Sequence, residues 1–399
     1  MIEILFLLLP VAAASGWWLA RRELRGKRDG GVPSHPDFLR GLNYLLEEQP
    51  DKAIDTFLKL AEVDGETVET HLALGSLFRR RGEVDRAIRI HQNLIARKNL
   101  GPDLRGFALY ELGQDYMRAG LLDRAEGLFQ ELVEVGLHRL SALKALREIY
   151  QQERDWLRCL EVAGRLQSLT EQSMVAEMAH YHCELAEDAR RKGDLDGARL
   201  SLIRAQEVDP TCIRAAMIEG MMTLEEGDPD QAVVIFLRVA ERGAAYVSEI
   251  LPALIEAAQR ARGYDPRGLL EDLAARHPTS ALLLGLSDLV VREVGEGEAL
   301  ERLTLYLSRF ADLSVLERLV DLELRMAPSG SGEAGRIAVV LEVVRQVLSR
   351  QPVYQCEQCG FQARSLHWQC PSCKCWGRVL PVQPEPILQD SERADAMSA

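Results

Sequence analysis

LGQDYMRAGLLDRAEGLFQEL, residues 112–132, contains the spacing of small and large residues from which the fold is predicted. Two small residues, Gly113 and Ala125, stand twelve positions apart, and the large apolar Phe129 follows four positions after the second. Gly120 lies between them, where a turn would separate two helices. Small side chains on adjacent helices let the backbones approach closely, and a large residue fills the groove beside them. The stretch therefore predicts a pair of antiparallel helices.

The same arrangement recurs along the chain at steps of 34 to 39 residues. The pairs of a small residue and the residue four positions on are Ala53 with Phe57, Ala87 with His91, Ala125 with Phe129, Cys159 with Ala163, Ala198 with Leu202, and Ala232 with Phe236. Several of these pairs are preceded, twelve positions earlier, by another small residue: Gly75, Ala186 and Gly220. Turn glycines lie between the two small residues, at Gly82, Gly193 and Gly227. This period resembles the tetratricopeptide repeat.

We predict a repeat array over residues 37–326, with about six clear units and two or three degenerate ones. The pattern decays after Leu251, where Gly268, Gly285 and Ala299 are interpreted as marks of worn copies. A general antiparallel helical bundle is the alternative. A superhelix of helix pairs offers a long concave surface, so its usual activity is to hold other proteins.

No catalytic motif accompanies the repeats. The sequence contains no phosphate-binding loop, no Gly-x-Ser-x-Gly elbow, no His-Glu-x-x-His and no dinucleotide fingerprint, so we predict that the chain is not an enzyme. The basic run 79–81 is interpreted as a solvated turn, with an acidic partner as the alternative. His180, His182 and Cys183 suggest a second metal site, but residues two apart do not share a helix face, and we do not predict one.

The first twenty residues, MIEILFLLLPVAAASGWWLA, carry one charge, at Glu3. The uncharged run after it would span about 26 Å as a helix, at the short end for a bilayer core of ~30 Å. A basic cluster follows, whereas a cleaved signal peptide has its positive charge ahead of the apolar run. We predict an uncleaved anchor at residues 1–20 and a basic juxtamembrane linker at residues 21–36. The positive-inside bias then places the soluble part on the cytoplasmic side.

Five of the eight cysteines cluster near the C-terminus. Two knuckles, Cys356-x-x-Cys359 and Cys370-x-x-Cys373, are separated by ten residues, and two such turns complete a thiolate tetrahedron around one ion. A closed site of this kind leaves no position for a substrate, so we predict a structural role. Cys375 is interpreted as a bystander, with ligation in place of Cys373 as the alternative.

Gly360 follows the first knuckle directly, and its left-handed conformation would let backbone N–H groups point at sulfur. The ribbon at residues 353–381 also resembles rubredoxin, whose sites can hold iron and pass electrons. Zinc is the preferred ion and iron the alternative, because rubredoxin-like modules appended to larger proteins are mostly structural. We further predict a linker and final helix at residues 327–352, with a flexible break through Gly335 and the helix from Arg336 to Arg350. The tail at residues 382–399 is predicted to be disordered.

The overall charge argues against a nucleic-acid binder. Lys and Arg total 48 against 61 Asp and Glu, which gives a net charge of −13, and binding to nucleic acid depends largely on neutralising phosphates. The ribbon itself carries Arg364, Lys374 and Arg378 against Glu357, too little positive charge for strong phosphate binding. A nucleic-acid-binding zinc ribbon and a rubredoxin-type electron-transfer protein are the alternatives to a scaffold.

The sequence therefore predicts an all-α fold: a tetratricopeptide-repeat superhelix (α-solenoid) with an N-terminal transmembrane helix and a small C-terminal rubredoxin-like zinc ribbon. An anchor, a repeat array and a ribbon containing His367-Trp368-Gln369-Cys370-Pro371, in this order, resemble the lipopolysaccharide assembly protein B (LapB) family over the whole chain.

The resemblance implies a cytoplasmic adaptor held to the inner membrane of Gram-negative bacteria. By this resemblance, the chain would regulate lipopolysaccharide synthesis by helping the membrane protease FtsH degrade the deacetylase LpxC, and a YejM-type membrane regulator would restrain it. The metal ligands carried over by motif are Cys356, Cys359, Cys370 and Cys373. The repeats supply no motif that identifies a partner-binding residue, and a homodimer stays open.

Overall fold

The computed structural model describes residues 39–41, 43–44, 47, 49–63, 68–328, 331–382 and 385–386. The predicted anchor at residues 1–20 and linker at residues 21–36 lie outside these ranges. Among the helices that are described, none has both the length and the apolar character required to cross a bilayer. The chain forms two compact units, Met1–Glu153 and Arg154–Ala399.

In the first unit, helices follow one another in the predicted antiparallel manner, each packed against the next. They are α1 (Pro50–Val63), α2 (Val68–Arg81), α3 (Val84–Ile95), α4 (Pro102–Arg118), α5 (Leu122–Val135) and α6 (Arg139–Glu153).

The second unit continues the same arrangement and then adds the ribbon. Its helices are α7 (Trp156–Leu169), α8 (Val175–Arg191), α9 (Leu195–Val208), α10 (Ile213–Glu225), α11 (Pro229–Arg242), α12 (Val247–Arg260), α13 (Pro266–Arg276), α14 (Ser280–Glu293), α15 (Glu296–Leu307), α16 (Leu313–Met326) and α17 (Gly332–Leu348), with a 3-10 turn at Ala244–Tyr246.

The repeat positions are buried as predicted. Both members of every pair lie on the second helix of a unit, in α1, α3, α5, α7, α9 and α11, and are at most 3% exposed. A Cβ atom on Gly113 would lie 2.6 Å from the ring of Phe129, and one on Gly220 would lie 2.6 Å from the ring of Phe236. Close approach of the paired helices therefore depends on these glycines, which confirms the repeat prediction.

The decayed part of the array is also built of helix pairs. Gly285 faces Leu251, since its Cβ would lie 3.0 Å from that side chain, and Ala299 is fully buried. Gly268 is different, because its N–H donates to the carboxylate of Asp265 at the start of α13. Gly268 therefore lies at a capped helix terminus, with Asp265 as its nearest neighbour, and not at a close contact between helices.

The final helix begins earlier than the sequence indicates. We expected a flexible break through Gly335, but α17 starts at Gly332, where the hydroxyl of Ser331 accepts the N–H of Ala334. The serine cap offsets the weak helix propensity of the glycines that follow it. Arg345 then binds Glu317 of α16, which joins the last two helices.

The ribbon folds as a three-stranded antiparallel sheet of β2 (Tyr354–Cys356), β3 (Gln362–Ala363) and β4 (Val379–Pro381). The strands lie in the order β3-β2-β4. A second, two-residue pairing joins β1 (Phe310–Ala311) to β5 (Glu385–Pro386). The prediction of a disordered tail from residue 382 is therefore corrected at residues 385–386, which pair with β1. The residues after 386 lie outside the described part of the chain.

Candidate metal centre

The two knuckles bring four sulfur atoms into one cluster. The Sγ atoms of Cys356, Cys359, Cys370 and Cys373 all lie within 4.8 Å of one another. The separations Cys356–Cys373 and Cys359–Cys370 are both 3.7 Å. Four ligands at the usual Zn–S distance of 2.3 Å, arranged as a tetrahedron, would be separated by about 3.8 Å. The sulfur atoms are therefore spaced as one tetrahedral ion requires.

Each knuckle contains a backbone turn of the same type. The N–H of Gly360 donates to the carbonyl of Cys356, and the N–H of Lys374 donates to the carbonyl of Cys370, both at 2.9 Å. Gly360 and Lys374 both adopt the left-handed backbone conformation, with φ of 74° and 61°. The left-handed conformation of Gly360 is confirmed. Its counterpart was not predicted, because a lysine in this conformation carries no signal of the kind that a glycine gives.

Backbone N–H groups point at the sulfur atoms. The N–H of Phe361 donates to Cys359 and is the main cause that lowers the pKa of this thiol to about 6. The N–H of Cys375 likewise donates to Cys373, although burial and the neighbouring thiols leave the pKa of Cys373 raised overall. Such donors favour the thiolate form that binds metal. Cys375 thus contributes its backbone, and its thiol does not belong to the sulfur cluster.

The ribbon packs on the helices of its own unit through Trp376. Its indole stacks on the ring of His180 with centroids 5.3 Å apart. It also meets Trp156 and Tyr181 edge-on, at 6.0 Å and 5.7 Å. Edge-to-face and offset arrangements at these distances are the favourable ones for aromatic pairs. One side chain of the ribbon therefore contacts both α7 and α8.

Three further contacts extend this docking surface. Trp368 stacks on Tyr246 at 5.3 Å and receives the guanidinium of Arg214 over its ring at 5.5 Å. The hydroxyl of Tyr354 donates to the carboxylate of Glu249. Burial, together with this carboxylate, raises the pKa of Tyr354 above its usual value, so the hydroxyl remains a donor. The metal-bearing module is thereby fixed to helices that lie more than a hundred residues earlier in the chain.

His180 lies at the centre of the docking surface. Burial, followed by the charge of Arg214, lowers its pKa to about 3, so the ring is neutral. A Cβ atom on Gly377 would lie 2.9 Å from Nε2 of His180, and Gly377 has a φ of 62°. Close contact and backbone conformation thus both require glycine there.

The residues that suggested a second metal site have three different surroundings. His180 faces the ribbon, His182 lies near the charges of Arg204 and Glu207, and Cys183 faces Cys212. In the part of the chain that the structure describes, the cysteine cluster of the ribbon is the group with metal-binding geometry.

A buried polar network in the first unit was not predicted. Nδ1 of His91 lies 2.5 Å from the carboxylate of Asp115, and both side chains are fully buried. Arg79 binds Asp115 at 2.8 Å and Glu111 at 2.7 Å. The interpretation of residues 79–81 as a solvated turn was therefore wrong for Arg79, which turns inward toward two carboxylates of the next repeat. The histidine at a position that holds Phe in three other repeats was the available signal.

Comparison with protein families agrees with this architecture. The model described as rubredoxin metal binding domain matches residues 354–379. Two tetratricopeptide repeat models match residues 70–103 and 183–247. The four cysteines thus form the metal-binding cluster of a zinc ribbon domain, and the helices form a tetratricopeptide-repeat solenoid.

Relatives match nearly the whole chain. Lipopolysaccharide assembly protein B of Escherichia coli (strain K12) is 37% identical over 385 residues, which cover 96% of this chain and 99% of the relative. The chain belongs to the lipopolysaccharide assembly protein B family. The family member of Haemophilus influenzae is 33% identical over 393 residues, covering 96% of this chain and 98% of its own. The resemblance found in the sequence is confirmed.

Solved structures of other repeat proteins are less similar. The C-terminal part of a tetratricopeptide repeat-containing protein from Cytophaga hutchinsonii is 15% identical and covers 62% of this chain and 99% of its own, with a TM-score of 0.40. This likeness carries no argument about function.

Proposed function

We propose that the chain is a non-enzymatic adaptor in the control of lipopolysaccharide synthesis, tethered to the inner membrane through residues 1–20 with its solenoid and ribbon in the cytoplasm. In this proposal it brings the deacetylase LpxC to the membrane protease FtsH, and a YejM-type membrane protein restrains it. The observation that carries the proposal is the match of nearly the full chain to relatives named lipopolysaccharide assembly protein B.

The architecture supports an adaptor on physical grounds. Stacked helix pairs present an extended surface suited to hold another protein. The cluster of four thiolates has no open ligand position, so it stabilises the ribbon and offers no site for a substrate. The aromatic contacts of Trp376 and Trp368 hold the ribbon against the helices. A rigid combined surface loses little entropy on binding, which favours a scaffold.

Membrane tethering would supply the remaining effect. An anchor confines the adaptor to the same surface as the protease, which raises the effective concentration of a held client without a new strong contact. The apolar run of residues 1–20, with basic residues directly after it, supports this part of the proposal.

The test measures the half-life of LpxC in cells that lack their own copy of the adaptor. Three forms are compared: the full chain, residues 21–399, and residues 21–399 fused to an unrelated single-pass anchor of the same orientation. The full chain should shorten the half-life of LpxC in an FtsH-dependent manner. The truncated form should lose this effect, and the fused form should recover it.

Circular dichroism melting of the truncated form, compared with the full chain in detergent, serves as the folding control. Full activity of a folded, untethered form would contradict the tethering mechanism. An LpxC half-life that is the same with and without the full chain would contradict the adaptor role itself.

A further inference from the structure

Two cysteines outside the metal centre face each other between α8 and α10. The Sγ atoms of Cys183 and Cys212 are 3.8 Å apart. Cys183 lies within α8 and is fully buried, whereas Cys212 is the residue that precedes α10 and is 8% exposed. A disulfide needs a separation of about 2.05 Å. Cys212 can make this approach more easily, because it lies at a helix terminus after a turn.

The surroundings of Cys212 favour a reactive thiolate. The hydrogen bond with Cys183 is the largest cause that lowers the pKa of the Cys212 thiol; burial opposes it, and the backbone N–H of Ala215 adds to the lowering. The same hydrogen bond, followed by burial, raises the pKa of Cys183. The charge of Arg214 further favours the thiolate at Cys212. A thiolate at a helix N-terminus beside an arginine is the environment typical of reactive cysteines.

A small cavity lies against Cys212. Its volume is about 190 Å³, and Cys212 lines it together with Gln206, Thr211, Arg238 and Arg242. Water occupies about 30 Å³ per molecule in the liquid, so the cavity has room for a small polar oxidant. Cys183 does not line the cavity. An oxidant would therefore meet Cys212 first, with Cys183 behind it.

We propose that Cys212 and Cys183 are an oxidisable dithiol, in which a small hydroperoxide reacts at Cys212 and Cys183 then closes a disulfide. This proposal does not rest on the adaptor function, since it concerns the chemistry of the purified chain.

The reaction balances with hydrogen peroxide as the oxidant. The Cys212 thiolate attacks one peroxide oxygen, an S–O bond forms, the O–O bond breaks, and the departing hydroxide takes up a proton to become water. Cys183 then attacks the sulfenic sulfur, an S–S bond forms, the S–O bond breaks, and the hydroxyl group leaves with the Cys183 proton as a second water. Two thiols lose two electrons, and one peroxide is reduced to two waters.

Oxidation would be felt at the docking surface of the ribbon. Arg214 follows Cys212 by two residues at the start of α10, where it binds Glu184 of α8 at 2.8 Å and lies over Trp368 of the ribbon at 5.5 Å. Drawing the start of α10 toward α8 would shift this guanidinium relative to the indole. The dithiol therefore lies directly behind a contact that holds the ribbon.

The experiment uses the full chain with its metal, purified in detergent and treated with a few equivalents of hydrogen peroxide. Free thiols are then alkylated, and the protein is digested with trypsin without reduction. Residues 166–190 and 205–214 are tryptic peptides that contain one cysteine each. The expected product is these two peptides joined by a disulfide, with the metal still bound.

Variants separate the roles of the two thiols. In Cys183→Ser, dimedone should label Cys212, because no second thiol resolves the sulfenic acid; in Cys212→Ser, labelling of Cys183 should be roughly tenfold lower, because the thiolate is the reactive form. Cys159→Ser is the matched control, since Cys159 is a buried cysteine of α7, and this variant should form the disulfide as the wild type does.

The wild-type result is decisive even if a variant folds poorly. Release of the metal and oxidation of the ribbon cysteines, while peptides 166–190 and 205–214 stay fully alkylatable after denaturation, would overturn the proposal. Dimedone labelling of Cys183 in preference to Cys212 would overturn the assigned order of attack.

Discussion

The first unit and the ribbon-bearing second unit each bury a histidine, and they do so by different means. His91 lies among helices only, and its ring binds Asp115, which Arg79 also binds. His180 lies between α8 and the ribbon, against the rings of Trp376 and Trp368. The first histidine binds a carboxylate of the next repeat through Nδ1, while its buried Nε2 has no hydrogen-bond partner in the described part of the chain. The second is kept neutral by burial under an added module.

The two regions require different interactions. The network around His91 needs only that the helices stack, because its members belong to α2, α3 and α4. The surroundings of His180 need the ribbon, which is too small for a core of its own and depends on its metal. Perturbations of the metal should therefore act on the second unit and leave the network of the first intact.

Loss of a metal ligand should have the largest effect. Cys356→Ser or Cys370→Ser should release the ion and unfold the ribbon, since structural zinc sites contribute an apparent ~10–16 kcal/mol to folding at neutral pH. Elemental analysis measures the metal, and the fluorescence of Trp368 and Trp376 should shift toward that of indole in water. Cys375→Ser is the control and should keep the ion. Unchanged metal content in both ligand variants would refute the ligand assignment.

Removal of the central carboxylate should be the next largest effect, and it should appear in the first unit. Asp115→Ala leaves Arg79 and His91 without their shared partner, which should lower the free energy of unfolding by about 3–5 kcal/mol. Denaturant unfolding measures it, with Asp103→Ala on the exposed start of α4 as the control. A double variant that adds His91→Phe should recover part of the loss. If Asp115→Ala and Asp103→Ala lowered the free energy of unfolding equally, the result would contradict the network.

Truncation of the docking indole should cost somewhat less. Trp376→Ala removes the contacts with His180, Trp156 and Tyr181 and should lower the free energy of unfolding by about 3 kcal/mol, while the metal stays bound. Hydrogen exchange should rise in β2 to β4 and in α8. Leu157→Ala is the matched control, because Leu157 is 65% exposed beside the docking surface. If exchange in α8 does not change, the ribbon does not cover that helix in solution.

The smallest expected effect is a pH dependence carried by His180. Its pKa is about 3 in the folded protein, against the ordinary histidine value of 6.5 that applies to the unfolded chain. The unfolded chain therefore binds more protons than the folded protein on acidification. The stabilisation is present above pH 6.5 and is lost as pH falls toward 3, by about 2 kcal/mol between pH 7.5 and pH 5. Unfolding of the wild type and of His180→Phe at both pH values measures it. Equal losses in the two proteins would show that His180 is protonated in the folded state.

Much of the architecture could be read from local sequence. The spacing of Ala125 and Phe129, and of their counterparts, fixed which face of each helix is buried, because helix period and side-chain size act over a few residues. The knuckles could be predicted for the same reason, since two cysteines three positions apart form one turn. Arg79 was misjudged because its carboxylate partners lie 32 and 36 residues away, on the next repeat.

The repeat, the four-cysteine metal cluster and the family could therefore be predicted from the amino-acid sequence, since each depends on contacts between residues close in the chain or on a motif. The position of the ribbon, the burial and neutrality of His180, and the contact of Cys183 with Cys212 became visible only in the folded chain. Trp156 and Trp376, for example, are in ring contact although most of the sequence of the second unit lies between them. Such contacts arise from the path of the whole chain, and no local spacing encodes them.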